Sequence, residues 1–236
     1  MRAAVIVFPG SNCDRDTYWA VEHALGESAE FVWHRDTSLS GFDLVILPGG
    51  FSYGDYLRTG AFASFSPVTK AIKSFAENGG LVLGICNGFQ VLLECGLLPA
   101  AMIPNDHLRF ICSDVLIRTE RTDTPFSNEA ETGQVLRIPV AHFEGNYFAD
   151  KTVLDRIEAN NQVLFRYSDS NGNVSAETNP NGSANNIAGL INERGNVVGM
   201  MPHPERASEE VLGSTDGMVI FKSILRYVEE KAVSNV

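Results

Sequence analysis

The chain has 236 residues, 44% hydrophobic and 20% charged, with 18 basic against 29 acidic side chains and a formal net charge of −11. That length and balance support a large buried core and exclude a disordered chain, while the negative charge opposes binding to a phosphate backbone and excludes nucleic acid as a partner. The four cysteines form no C-x-x-C pair and do not cluster with histidine in sequence, which indicates neither a disulfide framework nor a structural metal site and points to a reducing, cytoplasmic compartment.

Met1 to Phe8 is apolar but stops at Pro9-Gly10, too short for a signal-peptide core or a membrane span, so it predicts the first strand. Gly10 to Asp14 supplies turn residues. Asp16 to Leu25 then carries helical apolar spacing through Tyr18, Ala20, Val21, Ala24 and Leu25, closed by Gly26. Phe31 to His34 reads as the second strand and Asp43 to Leu47 as the third, whose unbroken apolar run suits a parallel strand buried on both faces. Pro48 to Asp55 is a glycine-punctuated loop at the carboxyl end of that strand, where open α/β sheets carry their sites. Ser66 to Asn78 predicts an amphipathic helix, ended by Gly79-Gly80 and followed by a strand over Leu81 to Ile85.

Further on, Phe110 to Arg118 and Gln134 to Ala141 read as strands with no helix between them, which predicts antiparallel pairing toward one edge. Residues 160–186 are rich in Asn, Ser and Gly, interrupted by one short strand near Val163 to Tyr167. A polar stretch of that length often carries function. Ile187 to Ile191 and Val197 to Met201 flank Glu193-Arg194-Gly195-Asn196 as a hairpin, and Asp216 to Lys231 predicts a last amphipathic helix. No repeat or linker divides the chain, so one α/β domain over 1–236 is expected.

The chemistry centres on Gly84-Ile85-Cys86-Asn87-Gly88, where an apolar strand ends at a cysteine flanked by glycines and a helix begins at once. This is the spacing of a G-x-S-x-G nucleophile elbow with sulfur in place of the hydroxyl. A side chain thrust off a strand end needs a strained backbone and close neighbouring chain, which glycine at both flanks permits. The helix start favours a thiolate. Cys13, Cys95 and Cys112 lack such flanks and read as packing residues.

A thiol nucleophile needs a base and a group that orients the base. Met201-Pro202-His203-Pro204-Glu205 offers both. The prolines push the residues before them toward extended backbone, in which His203 and Glu205, two apart, share a face. His142, in Ala141-His142-Phe143-Glu144-Gly145, has similar spacing to an acid without the prolines, as a weaker rival. His23, His34 and His107 read as structural or surface groups.

Gly84-Ile85-Cys86-Asn87-Gly88-Phe89-Gln90 together with Pro202-His203-Pro204-Glu205 resembles the class I (triad) glutamine amidotransferases, and Pro48-Gly49-Gly50 resembles that family's oxyanion loop. Phe8 to Asp14, Gly50 to Arg58, Asn179 to Ser183 and Gly199 to Arg206 extend the likeness over nearly the whole chain, toward the small glutaminase subunits that serve purine synthesis. Phe143 departs from the glycine of a His-Gly-Glu-Gly pattern.

The resemblance implies a three-layer, flavodoxin-like open sheet, mostly parallel, with antiparallel additions in the C-terminal half. It implies glutamine hydrolysis through a Cys86 thioester, with His203 as general acid/base and Glu205 as its orienter. The backbone N–H of Gly50 or Phe51 and that of Asn87 would hold the oxyanion, and Gln90 and His142 would serve substrate binding. Implied partners are glutamine, a separate ATP-dependent synthetase subunit and a small accessory subunit. ATP and magnesium belong in the synthetase, and no metal or cofactor is implied here; the chain carries no G-x-x-x-x-G-K-[ST] motif. A cysteine hydrolase or peptidase of a related elbow-bearing fold and a catalytically silent binding subunit remain as other readings. Cys86→Ala is expected to lower glutamine hydrolysis by about 10⁶-fold, as for other triad nucleophiles. Retention of more than a few per cent of the rate, measured as glutamate release, would remove Cys86 from that role.

Overall fold

The computed structural model describes residues 1–234. Strands β1 (Arg2–Val7), β2 (Ser28–Trp33), β3 (Leu44–Leu47) and β4 (Leu81–Ile85) alternate with helices α1 (Asp14–Trp19) and α2 (Pro67–Glu77). α3 (Asn87–Glu94) follows β4 directly. Strands β5 (Ala101–Ile103), β6 (Ile111–Thr119), β7 (Val135–His142) and β8 (Asn146–Phe148) come next, then α4 (Lys151–Ala159), β9 (Val163–Tyr167), β10 (Ile187–Ile191), β11 (Val197–Met200) and α5 (Met218–Ser234). α1 runs on through a wider π-helical turn, Ala20–Ala24, in which the Leu25 N–H donates to the Ala20 carbonyl five residues back.

Nine strands form one sheet in the order β2-β1-β3-β4-β11-β10-β9-β6-β7, while β5 and β8 pair separately. β2, β1, β3, β4 and β11 are mutually parallel, and β10, β9, β6 and β7 continue the sheet antiparallel. This matches the sheet expected from the sequence, with the antiparallel addition amounting to four strands. The β10–β11 hairpin carries the chain from one regime to the other, so β11 lies parallel to β4 without a helical crossover of its own.

β3 and β4 are buried at every residue, as their continuous apolar runs predict for strands covered on both faces. Strand order reverses between β1 and β3, and the right-handed rule for parallel crossovers sets α1 and α2 on opposite faces. The carboxyl ends of the parallel strands β1, β3, β4 and β11 therefore lie along one edge, the place where such sheets bind their ligands.

α3 packs closely on this frame. A Cβ at Gly88 would lie 1.9 Å from the Leu47 carbonyl oxygen, and one at Gly199 would lie 2.1 Å from the Phe89 ring. Gly88→Ala therefore forces the first turn of α3 away from β3. Overpacking of that kind costs about 1–3 kcal/mol, so the melting temperature should fall by roughly 3–10 °C. An unchanged melting temperature in a calorimetric scan would show that α3 shifts freely on the sheet.

Candidate active site

Cys86 ends β4 and caps the start of α3 with φ 51° and ψ −106°, a left-handed conformation that a side chain rarely adopts. Three features hold it there. Its N–H donates to the Met200 carbonyl of β11 at 2.8 Å, Gly88 keeps α3 against β3, and a Cβ at Gly84 would meet Leu92 at 2.5 Å and the Gly88 backbone at 2.8 Å. The elbow expected from sequence is therefore present, with both flanking glycines required. The thiol is buried, its Sγ 3.6 Å from the Ala141 carbonyl oxygen.

His203 follows β11, and its N–H donates to the Pro139 carbonyl of β7 at 2.8 Å. Its Nδ1 lies 2.7 Å from Glu205 Oε1, with both side chains buried, and its Nε2 makes no hydrogen bond among the described residues. The pair meets by a route the sequence did not indicate. His203 itself is extended (φ −101°, ψ 88°), but Pro204 opens a tight 3-10 turn over Pro204–Ala207, and that turn swings Glu205 back to the ring. Burial opposes a charged imidazole here, yet the Glu205 carboxylate, then Cys86 and Cys13, outweigh it and hold the His203 pKa well above its ordinary value.

The oxyanion expectation is narrowed. Phe51 is excluded as donor in this conformation because its N–H is spent on the Gly10 carbonyl at 2.9 Å. The Gly50 and Asn87 N–H groups make no hydrogen bond among the described residues. Gly50 sits at φ 147°, and a Cβ there would lie 2.5 Å from Asn12 N. Glycine is thus needed where the loop after β3 passes the loop after β1. At Gly49 a Cβ would lie 2.6 Å from the His203 ring and 3.2 Å from Cys13 Sγ, so the second glycine leaves room for the histidine.

Gln90 does not present a free amide to a substrate. Its Oε1 accepts from Asn87 Nδ2 at 2.9 Å and its Nε2 donates to the Glu144 carbonyl at 2.5 Å. Asn87 Oδ1 in turn accepts the Ser52 N–H at 3.2 Å. These bonds tie the oxyanion loop, the elbow helix and the 143–145 loop into one unit, with Thr59 Oγ1 donating to the Glu144 carboxylate at 2.8 Å.

His142 fails as a rival base because its acid partner is elsewhere: Glu144 turns to Thr59, and the ring faces Asn105 instead. Asn105 Nδ2 faces the Arg109 and His142 carbonyls, so its Oδ1 takes the Gly145 N–H at 3.0 Å and His142 Nδ1 at 3.1 Å. The Nδ1 therefore carries the proton and Nε2 is a bare acceptor, buried and unpartnered. Burial first, and then the nearby His203 charge, push the His142 pKa down to about 4, which keeps the ring neutral at pH 7.

Sequence reasoning missed Asn105, Asn181, Arg206 and the position of Cys13. Asn181, fully buried, donates from Nδ2 to the Gly145 carbonyl at 2.8 Å and accepts the Asp106 N–H, which explains the Asn179 to Ser183 segment as a brace behind the 142–145 loop. Cys13 is no mere filler: Arg206 Nη2 lies 3.0 Å from its Sγ, and the thiol rests against His203. The motifs around Cys13 and after Glu205 were visible, but nothing in their spacing placed them together.

Residues 1–228 match the family described as the CobB/CobQ-like glutamine amidotransferase domain, and the chain belongs to that family. Among particular proteins, it is 58% identical over 227 residues to the phosphoribosylformylglycinamidine synthase subunit PurQ of Salinibacter ruber, covering 96% of this chain and 97% of that one. It is 56% identical to the PurQ subunit of Moorella thermoacetica, covering 97% of each chain. A chain in the structure of PurLQS from Thermotoga maritima superposes with a TM-score of 0.85 at 46% identity, covering 96% of this chain and 98% of that one.

Because Glu205 raises the His203 pKa, Glu205→Gln removes the main attraction that keeps the imidazolium at high pH. The alkaline limb of kcat/KM for glutamine hydrolysis, where the imidazolium is lost, should move to lower pH in Glu205→Gln. A limb that stays in place or moves up in a pH-rate series would contradict that electrostatic role.

Proposed function

We propose that this chain is the glutaminase subunit of a phosphoribosylformylglycinamidine synthase, releasing ammonia for a separate synthetase subunit that makes formylglycinamidine ribonucleotide in purine synthesis. The observation that carries the reading is the left-handed Cys86 elbow set beside a buried His203–Glu205 pair. Full-length identity to PurQ subunits supports the choice of partner, and the PurLQS structure supports a small accessory subunit beside the synthetase.

Cys86 Sγ attacks the carboxamide carbon of glutamine, and the carbonyl oxygen becomes an oxyanion facing the free N–H groups of Gly50 and Asn87. His203 gives its Nε2 proton to the leaving nitrogen, so ammonia departs and a γ-glutamyl thioester remains. Water, losing a proton to His203, then attacks the thioester carbon; glutamate leaves and the thiol is restored. Glu205 holds the ring tautomer throughout. Neutral His142 offers Nε2 to a donor of the substrate, and the side chains of Asn87 and Gln90 set the loops rather than the reacting atoms. ATP and magnesium belong to the synthetase.

The loop after Gly50 is the element that docking sets. Tyr53, Asp55 and Leu57 all have positive φ (55°, 53° and 72°), and burial with the Glu144 charge pushes the Asp55 carboxyl up to about 6. Tyr56 and Leu57 stand in solvent beside the site. A strained, apolar, exposed loop next to an oxyanion donor suits an element that closes when a partner covers it. No helix among the described residues is long and apolar enough to cross a membrane, and a cytoplasmic location follows from this pathway.

Low glutaminase activity is expected for the chain alone, with a large rise when the synthetase subunit and its ligands are added. In the assembled complex, Cys86→Ala should abolish synthesis from glutamine while leaving synthesis from ammonium salts largely intact. Loss of both activities in a complex shown to be assembled by gel filtration would contradict this division of labour.

A further inference from the structure

A second thiol lies against the imidazole assigned to proton transfer. Cys13 immediately precedes α1, at the carboxyl end of β1, and one ligating atom each from Cys13, His203 and Glu205 lies within 4.8 Å of the others. All three residues are almost fully buried, at 2%, 1% and 2% exposure. Two of their polar atoms, His203 Nε2 and Glu205 Oε2, have no hydrogen-bond partner among the described residues. Catalysis accounts for Nε2, which faces the nucleophile's chemistry. It leaves Oε2 without a role, a buried carboxylate oxygen facing no donor.

We propose that Cys13, His203 and Glu205 form an inhibitory site for a thiophilic divalent cation of the zinc class; the inhibitory part rests on reading His203 as the base. Thiolate, imidazole and carboxylate are the donors zinc takes, whereas magnesium and calcium require oxygen ligands throughout. Zinc bonds of about 2.0–2.3 Å set neighbouring ligands roughly 3–4 Å apart, so Cys13 must approach the pair by up to about an ångström, while a metal on Nδ1 must part the 2.7 Å contact between His203 and Glu205.

Arg206 is the group that must yield. Its Nη2 sits 3.0 Å from Cys13 Sγ, while its Nε already reaches Asp16 at 3.3 Å. The guanidinium, part exposed to solvent, turns outward beside Asp16 as the dication replaces its charge. Binding forms S–Zn, N–Zn and O–Zn bonds and releases the Cys13 thiol proton and the His203 imidazolium proton to solvent, with no electron transferred. Water completes the tetrahedron. Metal on Nδ1 would replace the ring's hydrogen bond to Glu205 and fix the remaining proton on Nε2; metal on Nε2 would occupy the atom from which the leaving nitrogen takes its proton. Proton transfer stops in either case while Cys86 itself stays unbound.

The test uses the full chain with Cys86→Ala and Cys112→Ser, so that neither the nucleophile nor the exposed thiol supplies a ligand. Cobalt(II) is titrated as the spectroscopic probe. The proposal expects one equivalent bound, with a thiolate-to-cobalt charge-transfer band in the near ultraviolet and tetrahedral d–d bands, both removed by added zinc. Adding Cys13→Ser, which preserves side-chain shape, should abolish the charge-transfer band in a protein shown to be folded by circular dichroism, and Glu205→Gln should weaken binding at least tenfold. No stoichiometric uptake, or the same band without Cys13, would overturn the site. In the chain that retains Cys86, the zinc concentration for half-inhibition of glutaminase should rise at least tenfold in Cys13→Ala, and an equal value would overturn the inhibitory role. Metal uptake is read without glutamine turnover, so its failure leaves the glutaminase reading standing, and failure of that reading leaves the uptake result intact.

Discussion

The left-handed backbone at Cys86 is the constraint on which the site depends. A non-glycine residue at φ 51° holds that conformation only where its surroundings over-determine it, and here they do so from three directions. β11 supplies an acceptor to the Cys86 N–H, the Leu47 carbonyl end of β3 leaves no room for a Cβ at Gly88, and Leu92 leaves none at Gly84. The strain is stored where three parallel strands end together. The same strand ends deliver His203 from β11 and Gly50 from β3, so the geometry that bends Cys86 also brings these two residues to it.

Around this point polar side chains act as braces. Ser52 N–H, Asn87, Gln90 and the Glu144 carbonyl form a continuous hydrogen-bonded line from the oxyanion loop through the helix to the loop after β7. Asn105 and Asn181 hold that last loop from behind, each buried and each bonded to the backbone of Gly145. Buried amides of this kind are costly unless every group is satisfied, and a satisfied network fixes one arrangement of the loops rather than several. The two histidines are set apart by the same means. A carboxylate beside His203 keeps its charged form, whereas burial and then the His203 charge keep the His142 ring neutral.

Much was legible in the order of residues. The periodicities gave β3, β4, α2, the β10–β11 hairpin and α5 close to their observed limits, because each reflects local spacing and burial that a short window contains. The elbow was legible for a similar reason: the requirement for glycine on both sides of Cys86 is a steric condition on neighbours in the chain. His203 and Glu205 were found as a pair through their prolines, although the turn that joins them is tighter than extended backbone.

What only the tertiary structure decided was which groups were already spoken for. Phe51 loses its N–H to Gly10, Gln90 its Nε2 to the Glu144 carbonyl, and Glu144 its carboxylate to Thr59, each a contact between segments far apart in sequence. Cys13 looked like packing because its flanks carry no signal, yet β1 and β11 bring it against His203 from 190 positions away. By itself the sequence determined the strands of the main sheet and the thiol elbow, since those rest on local sterics and periodicity, while β5 and β8 carried no such signal. The tertiary fold decided donor against acceptor, neutral against charged and free against occupied, because hydrogen bonds and fields depend on distances through space that spacing along the chain does not encode.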